Sequence, residues 1–312
     1  MSSLPVVHSP RYFADLGPHV MPIRKFGLVR EAIERCGAPV TIEAPEPVTD
    51  TELLRVHTAA YVAAVTTGAP QALAESQKFP WSKGLAEAVR WTNGGCVLAL
   101  RRALETGCSG NLASGFHHAH ADHGEGFCTF NGLVVAMEAL RAEGRFSRAL
   151  VVDLDLHYGN GTASLLASRP WAHQLSCYGN GYEQNRAIKD VTAFVAPDTE
   201  NCRSVALRAG LRGAEHLRVV ADALDAAFER SRPDVVLFQA GADPYREDPY
   251  SPLLLDHPDL AERDQLVFEA CFRRGVPVMW VLAGGYTEDV SKVVAVHLGT
   301  FLAAHRVFGG RR

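Results

Sequence analysis

The sequence predicts an α/β protein of three layers, a parallel sheet between two sets of helices. Three observations carry that prediction. From about residue 111 onward, strand and helix patterns alternate, the order that builds a parallel sheet. Leu150, Val151 and Val152 form a continuous apolar run, as expected of a strand covered on both faces. No Pro/Gly/Ser-rich linker, charge run, low-complexity tract or repeat divides the 312 residues, so a single domain over 1–312 is the expectation.

Each element follows from local chemistry. Residues 1–24 read as irregular, because Pro5, Pro10, Pro18 and Pro22 break helices. An amphipathic helix is expected from Lys25 to Cys36, stopped by Gly37. Thr49 and Glu52 have capping-box spacing and open a helix into Leu53, Leu54 and Val56. A helix over 59–66 ends at Gly68. Ser82 can cap a long helix to Thr106, weakened in its middle by Gly94 and Gly95. A short strand at 111–114 leads into Gly115, Phe116, His117 and His118. Helices are expected over 130–143, 213–230, 260–274 and 290–304, and strands over 149–153, 174–176, 235–239 and 276–282. In the 213–230 helix Leu217, Val220, Ala221, Leu224 and Phe228 share one face.

Bulk properties narrow the function. Hydrophobic residues make up 47% and charged residues 21%, with a net charge of −4, which disfavours a direct nucleic-acid binder. The seven cysteines contain no Cys-x-x-Cys and read as reduced thiols of a cytoplasmic protein. The first residues, MSSLPVVHSPRYFADLG, do not read as a signal peptide. No run approaches the ~20 apolar residues that span a bilayer.

Four strands end in polar sequences: SGFHH, DLDLHYGNG, QAGADPY and LAGGY. In a parallel sheet these ends share one edge, where open α/β folds bind ligands. Alternate residues of an extended chain point to one side, so Asp153, Asp155 and His157 project together. Asp155, His157 and Asp243 make two carboxylates and one imidazole, a three-ligand set with room for a catalytic zinc. The oxygen-rich set also accepts iron(II) or manganese. His117 and His118 suit a general base and proton shuttle, with Asp153 and Asn160 available to orient them. Tyr286, beside Gly284 and Gly285, could donate to an oxyanion. Phe127 could be core or channel wall. His8, His57, His120, His123, His173, His216, His257, His297 and His305 lack matching neighbours in the sequence and read as structural or surface residues.

The segments LLRVHTAAYV (53–62), GFHHAHADHGEGFCTFN (115–131), VVDLDLHYGNGT (151–162), QAGADP (239–244) and LAGGY (282–286) together resemble the histone deacetylase family, within the arginase–deacetylase superfamily. MPIRKF and HYGNG resemble bacterial relatives of class IV. The resemblance implies an arginase-like fold with a central eight-stranded parallel sheet. It implies zinc-dependent hydrolysis of an N-acyl-lysine, acetyl or longer, by metal-activated water. It matches Asp155, His157 and Asp243 to zinc ligands, His118 to the general base and acid, and His117, paired with Asp153, to its electrostatic partner. Asn160 falls beside His118, where class I enzymes carry Asp. Tyr286 matches the carbonyl-polarising tyrosine, and Gly126, Phe127 and Tyr182 the substrate channel. A structural potassium ion would be held by Asp153 and Ser176, with backbone oxygens of Asp155, His157 and Cys177. The departures from two-metal arginases imply one catalytic metal. One alternative is a deacetylase of acetylpolyamines or other small acylated amines. It would want acidic groups at the channel mouth, for which Glu125 and Arg246–Tyr250 (REDPY) are the candidates. The other is a non-catalytic acyl-lysine-binding protein, which would be expected to lack a ligand, His118 or Tyr286.

Overall fold

The structure is a computed structural model that describes residues 3–310; the remaining four of the 1–312 expectation lie outside the described residues. Ten strands run in chain order as β1 (Leu4–Val7), β2 (Val40–Glu43), β3 (Cys108–Ser114), β4 (Ala149–Asp153), β5 (Ala172–Tyr178), β6 (Gly181–Glu183), β7 (Arg186–Ile188), β8 (Cys202–Ala206), β9 (Val235–Ala240) and β10 (Val278–Leu282). Eight of them form one sheet in the order β2-β1-β3-β10-β9-β4-β5-β8, and every pairing within it is parallel. β6 and β7 form a separate antiparallel hairpin.

The helices are α1 (Lys25–Arg35), α2 (Asp50–Leu53), α3 (Ala59–Thr67), α4 (Gln71–Ala74), α5 (Lys83–Thr106), α6 (Gly132–Ala142), α7 (Asn160–Leu166), α8 (Gly213–Ser231), α9 (His257–Arg274) and α10 (Val290–Phe308). Helices α1, α10, α9 and α8 pack side by side, while α5 and α6 pack together with α2, α3 and α7 around them. The sheet lies between these two groups.

Burial explains the strand order. β3, β4, β9 and β10 are buried along their whole length, whereas β2 and β8 are partly exposed edges. The four fully buried strands are neighbours at the centre, in the order β3-β10-β9-β4. The chain passes from β3 over to β4 and returns only later to fill the gap with β9 and β10. That reversal is a topological switch point, where ligand crevices form.

Several local expectations are met in detail. Thr49 and Glu52 form a full capping box, Ser82 caps the helix ending at Thr106, and Gly68 closes α3 in the left-handed conformation. Two are corrected. Residues 1–24 are not irregular throughout, since β1 and a short 3-10 turn at Pro10–Tyr12 lie there. Pro5 is tolerated because β1 is only four residues long and proline removes only one ladder donor. Gly95 is a packing requirement, because a Cβ there would strike the Tyr12 hydroxyl and the Asn111 side chain, which are joined by a 2.8 Å hydrogen bond.

Candidate active site

The ends of the four central strands meet as the switch-point argument requires. Past β4, the ring Nδ1 of His157 lies 3.3 Å from Asp155 Oδ1 and 3.2 Å from Asp243 Oδ2, the latter carried by the loop after β9. All three residues are buried, and their ligand atoms lie within 4.8 Å of one another. Backbone donors hold the carboxylates in place: Gly284 N–H donates to Asp155 Oδ2 at 2.9 Å and Leu156 N–H to Asp243 Oδ1 at 3.0 Å. The other oxygen of each faces the His157 ring, and Asp155 Oδ1 also accepts from the His157 backbone N–H at 3.0 Å. A Cβ on Gly284 would fall on the Asp243 carboxylate, so glycine leaves that carboxylate its space.

The electrostatics of this cluster fit a cation. Burial works against a charge on His157, but the hydrogen bonds and charges of Asp155 and Asp243 raise its pKa to about 10. Burial and the Asp155 charge push Asp243 up. Two buried carboxylates thus converge on one proton, and a divalent ion would satisfy the same donor set.

His117 and His118 extend from β3 in different directions. His117 Nδ1 is 2.7 Å from Asp153 Oδ2. Burial opposes its protonated form, but the charges of Asp153 and Asp155 prevail and raise its pKa. His118 Nδ1 is 2.7 Å from Asn160 Oδ1. The Asn160 amide is oriented by its other end, which donates to Glu125 Oε2 at 2.7 Å. A carboxylate only accepts, so the amide nitrogen must face Glu125 and the oxygen must face His118. His118 therefore carries its proton on Nδ1, and Nε2 keeps a lone pair. Burial, then the charges of His117 and His157, hold His118 well below the ordinary histidine range.

A narrow cavity of about 150 Å³ opens on this group, lined by His118, Gly126, Phe127, Tyr182, Tyr250 and Tyr286 among others. Phe127 lines the cavity and also packs on the core, stacked on Phe79 with centroids 5.5 Å apart, at φ 65 in the left-handed region. Tyr182, from the β6–β7 hairpin, stacks on His118 with ring centroids 3.8 Å apart. The backbone N–H of Tyr286 donates to Asp248 Oδ2 at 2.7 Å. Among the described residues its hydroxyl has no hydrogen-bond partner. Burial, then the charges of Asp243 and Asp155, raise its pKa well above 10, so it stays a donor. Ser176 lies opposite Asp153 in the β4–β5 register, with the buried Cys177 next to it.

Sequence reasoning missed several supports. Lys25, from α1, is fully buried and donates to the Ala283 carbonyl at 2.5 Å, just before the Gly284–Tyr286 turn. Arg263, from α9, donates to the carbonyls of Leu154 and Gly241 at 3.0 and 2.9 Å, tying the ends of β4 and β9 together. Tyr250 and Asp248 belong to the REDPY segment that was considered only for its charge. Nothing in their local sequence marks these contacts, which join distant segments. Glu125 is corrected: it is buried behind Asn160 and does not line the mouth. Glu247 is paired with Lys292. His120 and His123 are corrected too, since they gather around Glu125. The H-x-x-H-x-E spacing was the available signal.

Comparison with known proteins agrees with the geometry. A family model described as the histone deacetylase domain matches residues 19–301. An uncharacterized protein of Picosynechococcus is 30% identical, over 97% of this chain and 99% of that protein. Acetylpolyamine amidohydrolase 2 of Pseudomonas aeruginosa is 29% identical, over 61% of this chain and 54% of that protein. The crystal structure of the HDA15 HD domain superposes with a TM-score of 0.80, covering 99% of this chain and 90% of that one at 21% identity. At that identity the match speaks for the fold, an arginase-like α/β architecture.

Proposed function

The chain belongs to the histone deacetylase family, a family of hydrolases, and on that premise we propose that it removes acyl groups from N-acyl-lysine in proteins or peptides with the help of zinc. The observation that carries the proposal is the narrow aromatic cavity ending on His118, Tyr286 and the Asp155–His157–Asp243 cluster. A linear lysine side chain fits a cavity of about 150 Å³ better than a bulky substrate does. We take 1–312 as one catalytic domain working in the cytoplasm.

Asp155, His157 and Asp243 would hold the zinc, or iron(II). A divalent ion held there would supply Lewis-acid polarisation of the acyl carbonyl and a lowered pKa for water. His118 Nε2, kept unprotonated by its environment, takes the proton of the attacking water. Its Nδ1–H stays fixed on Asn160, so the ring does not turn during the transfer. The same imidazole then protonates the leaving amine. His117, paired with Asp153, supplies positive charge beside His118. The Tyr286 hydroxyl donates to the developing oxyanion, and Asp248 positions its backbone. Gly126, Phe127 and Tyr182 form the channel. No residue acts as a covalent nucleophile. Asp153, Ser176 and backbone oxygens of Asp155, His157 and Cys177 offer the hard donors that suit a structural potassium ion.

Likeness to an acetylpolyamine amidohydrolase favours a second reading, in which the substrate is a small acylated polyamine. Glu125 is buried and Glu247 is paired with Lys292, so neither of these two offers a free carboxylate at the mouth to such a cation. Kinetics on acetyl-lysine peptides, longer-chain acyl-lysine peptides and acetylated polyamines, with one zinc-loaded preparation, separate the readings. The proposal expects higher kcat/KM on a peptide. Higher kcat/KM on the polyamine would replace it.

A further inference from the structure

A second cluster of metal-binding side chains lies on the far side of Asn160 from the cavity. His120, His123 and Glu125 bring one ligand atom each to within 4.8 Å of one another. His120 Nε2 is 3.7 Å from Glu125 Oε2, and His123 Nε2 is 3.7 Å from Glu125 Oε1. A tetrahedral zinc with bonds of about 2.0–2.1 Å spaces its ligands roughly 3.3 Å apart, so the two carboxylate–imidazole distances need to shorten by only about 0.4 Å.

The surroundings are those of a ligand set. The two imidazoles stack with centroids 4.5 Å apart and planes 7° from parallel, so binding one ion requires a ring to turn until the two Nε2 lone pairs converge. Each Nδ1 already has a partner: Ser164 Oγ at 2.8 Å for His120 and Asp122 Oδ1 at 2.7 Å for His123. Such partners orient metal-binding imidazoles and place the free lone pair on the other nitrogen. For His120 this tautomer is also required by Asn160, whose amide nitrogen points to His120 Nε2 at 3.2 Å. The loop is held from outside, with Gly124 N–H donating to Ser76 Oγ at 2.9 Å and Phe127 N–H to Gln77 O at 3.0 Å. Two imidazoles and a carboxylate suit zinc-class ions better than magnesium or calcium.

We propose that His120, His123 and Glu125 form a second, regulatory site for a zinc-class divalent cation, whose occupation slows the enzyme by releasing Asn160 from its place against His118. The lone pair of His120 that accepts from Asn160 is the one a cation would take, and Glu125 Oε2, the other acceptor of that amide, is also a ligand. A bound cation therefore takes the His120 lone pair away from Asn160 and shares Glu125 Oε2 with it. With the His120 acceptor gone and Glu125 drawn toward the cation, the amide is held less firmly and the acceptor of His118 Nδ1–H is no longer fixed. This coupling rests on His118 being the base of the proposed reaction, but the binding site itself does not.

Zinc stoichiometry of the full chain, measured by titration calorimetry and elemental analysis, tests the site without turnover. Wild type should bind two zinc ions, Asp243→Asn one, and His123→Ala one. Losing a ligand should weaken the second site by more than the roughly 10–100-fold that an outer-shell change costs. Magnesium should not compete. His120→Gln, with folding checked by thermal melting, should repeat the His123→Ala result. Two zinc ions on both His variants, or none on Asp243→Asn, would overturn the site. For the coupling, zinc beyond one equivalent should lower kcat of wild type with little change in KM, and leave His123→Ala, with its unaltered basal rate, uninhibited. Equal inhibition of both proteins would overturn the coupling. If neither protein turns over any acylated amine, the proposed function fails while the stoichiometry still decides the site.

Discussion

Replacing Asn160 by Asp puts a carboxylate where an amide now orients His118. Asn160 lies 2.7 Å from His118 Nδ1 on one side and 2.7 Å from Glu125 Oε2 on the other. The single substitution therefore sets two carboxylates in contact, and such pairs share a proton. Adding Glu125→Gln removes that complication and places one full charge beside the imidazole. An opposite charge at this range raises a histidine pKa by about 1–3 units, about 1.4–4 kcal/mol in favour of the protonated ring. His118 starts well below the ordinary range because it is buried near His117 and His157. A base acts only when unprotonated, so a higher pKa moves the acidic limb of kcat/KM to higher pH. The assay is the pH profile of kcat/KM for zinc-loaded Glu125→Gln and for the double variant, so that any other group on the limb is common to both. The limb should lie at least about one unit higher in the double variant. Coincident limbs, with both proteins folded and metal-loaded, would show that Asn160 does not govern His118.

Three further outcomes are expected. Tyr286→Phe should fold and keep its metal but lose about 10²–10³ in kcat, the cost of one oxyanion donor; a rise in KM alone would make Tyr286 a uniform binding residue. Gly126→Ala should cost at least about 1 kcal/mol of stability and lower kcat, because Gly126 has φ +51 and a Cβ there would strike the His118 ring and lie 2.8 Å from the Tyr182 hydroxyl; an unchanged urea midpoint and kcat would refute this packing. The contribution of His57 to stability should fall as pH drops from about 6.5 to 4. Burial, only partly offset by its hydrogen bond to the His120 carbonyl, holds the pKa of His57 at about 4, so over that window the unfolded chain binds a proton the folded chain refuses. The loss from His57 reaches about 3 kcal/mol, read as the stability difference between wild type and His57→Gln in urea titrations at pH 7 and 4.5; the same difference at both pH values would contradict it.

Local signals carried much of this structure, and non-local ones were lost. β4 was legible to the residue, because Leu150–Val152 is apolar throughout and Asp153 begins the polar end. The capping residues Thr49 and Ser82 placed helix starts correctly. Edge strands β2 and β8 escaped notice, because half-exposed sequences such as VTIE and CRSVA carry little apolar pattern. The polar strand ends marked Asp155, His157, Asp243, His117, His118 and Tyr286 as candidates, and the parallel topology brings them together. What could not be read was which side chains reach across the fold. Lys25 meets Ala283 and Arg263 meets Leu154 through contacts far apart in sequence. Glu125 was assigned to the wrong surface because nothing in GEGFC tells whether its side chain faces the channel or Asn160.

The most direct test of the account is zinc-dependent turnover of an Nε-acetyl-lysine peptide. The enzyme is stripped by chelation, and zinc is returned in substoichiometric steps while peptide hydrolysis and bound metal are measured on the same samples. Hydrolysis should be absent from the stripped protein and rise in proportion to zinc up to one ion per chain, and Asp155→Asn should not recover it. Full turnover by the stripped protein, or by Asp155→Asn, would contradict the claim that Asp155, His157 and Asp243 hold the metal on which the reaction depends.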